Sequence, residues 1–115
     1  RREYHLLFLA ARIDAAMATQ AEAEACRALL ADADVAQLDE ALARWHGTYD
    51  AGLEEAKAEL ERNWPESRIE ATLEESLALA REYGKRTTAR AGCETLAARL
   101  STKKLDPDAA FNTEP

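Results

Sequence analysis

The chain has 115 residues, enough for one domain, and a formal net charge of −7 at pH 7. Nearly half of it is apolar, but 26 of those residues are alanine and only 28 are larger, so helix propensity is high while the area available for burial is small. An acidic chain with few aromatics lacks the net basic face that phosphates require, so no nucleic-acid partner is expected.

No glycine or proline occurs before Gly47, which favours long helices. Over residues 2–31 the stripe Leu6, Leu9, Ile13 and Met17 recurs at helical spacing, and Cys26, Leu29 and Leu30 continue an apolar face. The run LLFLAA (6–11) is far shorter than the ~20 residues of a spanning helix. Arg12 and Asp14 interrupt it at once, so no transmembrane segment is expected. The chain begins at Arg1 and not at Met; a processed N-terminus would suit an organelle or an exported compartment.

The stretch ADADVAQ (31–37) supplies a break, with Asp34 and Gln37 in capping-box spacing and Asp32 as a second cap. Val35, Leu38, Leu42, Trp45, Tyr49, Leu53, Ala56 and Leu60 then advance in steps of three and four. Their phase does not slip at Gly47 or Gly52, which predicts one helix over about 35–62. In a chain so rich in alanine, those two glycines point to a bend or a close backbone approach. ERNWPES (61–67) is the clearest boundary. Pro65 suits a first helical turn, Asn63 with Glu66 forms a capping pair, and Trp64 is placed to pack back into the hairpin.

A third helix follows on Ile69, Leu73, Leu77, Ala80 and Tyr83 or Gly84, with Gly84, Lys85 and Arg86 as its stop. Thr87 or Thr88 would cap a short fourth helix holding Cys93, Leu96 and Leu100; a single bent helix over 65–102 is the rival arrangement. Residues 105–115 form an extended tail with Leu105 and Phe111 as anchors, beyond a bundle domain over 1–104. Charge is segregated along the chain: residues 3–75 carry −11 and residues 76–104 carry +5. Packing of the basic segment beside the acidic helices accounts for this without an external partner.

Cys26 and Cys93 are 67 residues apart, too far for a paired-cysteine redox or zinc motif; they are either buried thiols or one disulfide. The stretch ARWHGTYDAG (43–52) gathers Trp45, His46, Tyr49 and Asp50. His46 and Asp50, at i and i+4, supply two ligand positions where a metal site needs three or four, so neither a metal nor another cofactor is expected. The adjacent carboxylates point apart around their helices, and the serines lack a nucleophile elbow, so catalytic residues are not assigned. TQAEAEAC (19–26) and DADVAQLDEAL (32–42) resemble the LprI-like lysozyme-inhibitor family of secreted helical proteins over some twenty residues. The family's earlier cysteine and its downstream Trp–Tyr–Arg–Cys element are missing, and the chain is not assigned to it.

The expected fold is therefore all-α, an antiparallel bundle of three long helices with a short fourth and an extended C-terminal tail. The expected function is non-catalytic: a helical interaction protein, an accessory or structural subunit of a larger protein assembly. The alternative is an exported small helical binding or inhibitor protein stapled by a Cys26–Cys93 disulfide. Interaction candidates are Trp45, Gly47, Tyr49, Gly52, Trp64 and Phe111, taken for their aromatic faces or their missing side chains.

Overall fold

The computed structural model describes residues 2–87, 89–102 and 105–107, with the backbone alone at 85–87. Phe111 and Thr88 lie outside the described residues. The described residues form four helices, α1 (Arg2–Arg27), α2 (Asp32–Asn63), α3 (Glu66–Thr87) and α4 (Arg90–Ser101), and no strand. The fold is all-α, and its longest helix, α2, spans 32 residues without a break at Gly47 or Gly52.

The helix ends depart from the expected caps in instructive ways. α1 stops at Arg27, where the Cys26 carbonyl accepts from both Leu29 and Leu30 and turns the chain. Ala31, in an extended conformation, opens α2 and accepts from the Asp34 and Val35 amides at 2.9 Å. Asp34 is consequently inside the first turn and not at the cap. Asp32 and Asp34 there act on the helix dipole, since no side-chain cap bond forms. Asn63 likewise does not cap α3. It is the last residue of α2, and its Nδ2 donates to the Glu59 carbonyl at 2.8 Å. Pro65, one residue before α3, accepts from the Arg68 and Ile69 amides. Gly84 is not the stop either; it is buried, and α3 runs on to Thr87. An extended Ala89 separates α3 from α4, so residues 65–102 form two helices and not one bent helix.

Cross-helix pairs set the directions. Gln20 meets His46 and His5 meets Glu59, so α1 and α2 are antiparallel. Arg68 reaches Glu3 and Arg81 reaches Glu24, which puts α3 parallel to α1. Arg99 reaches Glu22, and Cys93 bonds Cys26, so α4 runs antiparallel to α1. The basic C-terminal segment thereby lays two of its arginines on α1.

Burial divides into two cores. One, at the disulfide end, joins α1, α2 and α4 through Ala16, Ala23, Cys26, Leu38, Ala41 and Trp45 against Cys93, Leu96 and Leu100. The other, at the hairpin end, joins α1, α2 and α3 through Leu6, Leu9, Ala56, Leu60, Trp64 and Ile69. α1 runs through both. α3 packs extensively on α1, touches α2 sparsely and does not contact α4 among the described residues. No helix is long and apolar enough to cross a membrane among the described residues.

Candidate interaction surface flanking α3

The unusual side chains of ARWHGTYDAG sit on an unbroken helix, where Trp45 is buried, His46 and Tyr49 are half-buried and Asp50 is exposed. Trp45 is only 3% exposed. Its indole N–H donates to the Leu105 carbonyl at 3.0 Å, which pins the turn after α4 onto α2. Tyr49 packs against the same core with its ring 5.5 Å from that of Trp45. Trp64 is buried in the other core, and the Arg68 guanidinium carbon lies 3.8 Å from its ring centroid, a cation–π contact. Burial makes both tryptophans core anchors, so neither presents an open stacking face.

His46 is held at both ring nitrogens. Nδ1 lies 2.8 Å from Asp50 Oδ1, and Nε2 lies 2.9 Å from the Gln20 side-chain oxygen. His46 thereby bridges α1 to α2, with both ring nitrogens already engaged by protein groups. No group of three metal-ligating side chains occurs among the described residues.

The glycines separate in the structure. A Cβ added at Gly47 would meet nothing within 4 Å, so no neighbouring helix makes the close approach expected there. At Gly52 the approach is real but made by a side chain: Arg12 Nη2 would lie 3.4 Å from the added Cβ. An alanine there would make an ordinary van der Waals contact with the tip of Arg12.

The open surface lies around α3. Two depressions share Lys57: one of about 460 Å³ lies between α2 and α3 and has Ile69 and Leu73 as its apolar lining, and one of about 280 Å³ lies between α1 and α2, lined by Ile13, Met17 and Leu53. On the other flank of α3 a depression of about 390 Å³ is lined by Ala18, Leu79 and Tyr83. Leu79 is 63% and Tyr83 70% exposed. The heptad pattern alone places Tyr83 beside Gly84 on the packed stripe, yet Gly84 takes the buried position and Tyr83 projects. Met17, Leu53 and Leu73 are half-buried, as their stripe positions predict, whereas Leu79 is an exposed side chain that the spacing did not single out.

No family model, no curated protein and no solved structure matches the chain.

Proposed function

We propose that the chain is a helical interaction protein, an accessory or structural subunit of a larger protein assembly that acts by binding. The observation that supports this best is the packing of α3 on α1 with only sparse contact to α2, which leaves Leu79 and Tyr83 exposed. Monomeric proteins seldom leave contiguous apolar surface uncovered on a long helix, and a partner protein is the usual cover. The engagement of both His46 nitrogens agrees with a structural role for the polar residues of ARWHGTYDAG.

A second reading is favoured by one specific observation. The Cys26 and Cys93 sulfurs are bonded, with Cα atoms 5.3 Å apart, inside a buried core. Disulfides persist in oxidising compartments, which suits an exported, free-standing binding or inhibitor protein. Both readings are tested in the native cell by a photo-crosslinking residue at position 73 or 83, combined with intact mass under non-reducing conditions. Stoichiometric crosslinking to one protein, co-purifying in a defined complex, supports the subunit. An oxidised monomer that crosslinks only a soluble target supports the exported binder. Failure to crosslink any protein from either position would sink the interaction reading altogether.

A further inference from the structure

Leu79 and Tyr83 project one turn apart from the same face of α3. Beside them lies the depression of about 390 Å³ between α3 and α1. Small side chains leave that space: Ala18 of α1, and Ser76 and Ala80 of α3. Its charge is one-sided. Asp14 of α1 and Glu82 of α3 line it, with no lysine or arginine among the described lining residues. Glu75, also exposed, stands one turn before Leu79 on the same face. Glu82 is already engaged, whereas Asp14 and Glu75 have no ion-pair partner among the described residues.

We propose that this flank of α3 docks a segment of a partner protein that presents an arginine between apolar side chains. The proposal rests on the reading of the chain as an interaction protein and names the chemistry of what it binds. The depression has room for a side chain and not for a whole helix, so the recognised unit is a single anchor. Arginine fits on both counts. Its apolar stem covers Ala80 and Leu79, while its planar head stacks on Tyr83 and reaches the unpaired Asp14 carboxylate. Glu75 and Asp14 steer such a cation toward the flank. The projecting Leu79 and Tyr83 need apolar cover that a small free cation does not give, which selects a protein segment with apolar neighbours around the arginine.

A second copy seated face to face on the same flank is disfavoured by charge. An antiparallel pair of α3 helices crossing at Leu79 sets Glu75 of each copy within a turn of the other copy's Glu82. Like charges so placed oppose association.

The test uses the full oxidised chain and a set of capped synthetic peptides of equal length. One is leucine-rich with a central arginine. The second replaces the arginine by citrulline, which keeps the stem and loses the charge, and the third keeps the arginine but replaces the leucines by serine. The arginine peptide is expected to bind at 1:1 and to shift the amide resonances of Ala18, Leu79 and Tyr83. The citrulline and serine peptides are expected to bind at least about tenfold more weakly. Asp14→Asn is expected to weaken the arginine peptide by about threefold or more and the citrulline peptide not at all, a coupling that a merely structural role for Asp14 would not produce. Leu79→Ser should weaken both of those peptides, and Glu61→Gln, at an exposed glutamate near the hairpin, neither. Circular dichroism confirms that each variant is folded. Equal binding of the arginine and citrulline peptides, shifts confined to other residues, or equal losses from Glu61→Gln would overturn the proposal in favour of unspecific attraction. Self-association of the chain abolished by Leu79→Ser would assign the flank to a second copy instead. Absence of binding by every peptide would refute the arginine anchor, and a protein crosslinked from position 83 in the cell would then leave the interaction reading intact.

Discussion

The two ends of the bundle are held by different means. At the disulfide end the inward positions of α1 are alanines, Ala16 and Ala23, and they bury little area each. There the bundle gains a covalent tie across 67 residues, worth about 4 kcal/mol from loop-closure entropy alone. The hairpin end has no covalent tie, but it has Leu6, Leu9, Leu60, Trp64 and Ile69, and large side chains do the work. The comparison teaches that an alanine-rich chain can be firm where it is crosslinked and where it spends its few large residues. It is open along the outer face of α3 at Leu79 and Tyr83, where it does neither.

Removing the large residue at the hairpin end should have the greatest effect. Trp64→Ala is expected to cost about 3–5 kcal/mol, with amide exchange accelerating first in α3 and in the N-terminal half of α1. The Trp64 indole N–H is buried with no acceptor among the described residues. Trp64→Phe, which removes that unmet donor, should therefore cost much less than a loss of area of that size implies. Equal acceleration throughout the chain would show that the two cores are one cooperative unit and dissolve the comparison.

Reduction attacks the other end. Cys26→Ser/Cys93→Ser is expected to lose about 2–4 kcal/mol, lowering Tm by roughly 10–15 °C. Exchange should rise first in α4 and the N-terminal half of α2, with α3 and its Arg68–Glu3 pair less affected. Hydrogen exchange followed by mass spectrometry checks both variants in one experiment, and the ordering of segments is the readout.

Much of this was legible in the sequence. The continuous phase of Val35 through Leu60 announced an unbroken α2 in spite of two glycines, because side-chain burial outweighs about 1 kcal/mol of propensity at each. The capping pattern misled at Asp34 and at Asn63, because short polar side chains satisfy whichever orphan backbone group is nearest. Spacing left the cysteines open between thiols and a disulfide; only the antiparallel placement of α4 on α1 brings them together. The exposure of Leu79 and Tyr83 was not legible. It follows from α3 packing closely on α1 and only sparsely on α2, an arrangement that spacing within one helix does not announce.

Smaller effects probe the seam between the ends. Gln20→Ala removes the link from α1 to His46 while leaving the His46–Asp50 contact on α2. The bond is part-exposed, so water replaces most of it and a loss of about 0.5–1 kcal/mol is expected by chemical denaturation. A loss several times larger would mean that His46 is the joint between the two cores rather than a clasp on their edge.

The glycine variants are the most discriminating, because their effect has the opposite sign. Gly47 and Gly52 sit on α2 where the disulfide core gives way to the hairpin core. At Gly47 an added methyl meets nothing within 4 Å, so Gly47→Ala should gain the full helical preference, about 1 kcal/mol, and raise Tm by a few degrees. Gly52→Ala has the same intrinsic gain and sets its methyl 3.4 Å from Arg12 Nη2, an ordinary contact with the end of a long side chain, so a gain close to that of Gly47→Ala is expected. Any difference between the two variants then measures how firmly Arg12 is seated across α2. Equal stabilisation would show that the contact costs nothing. Net destabilisation at position 52 would make the Arg12–Gly52 crossing a third point of attachment, between the covalent end and the packed one.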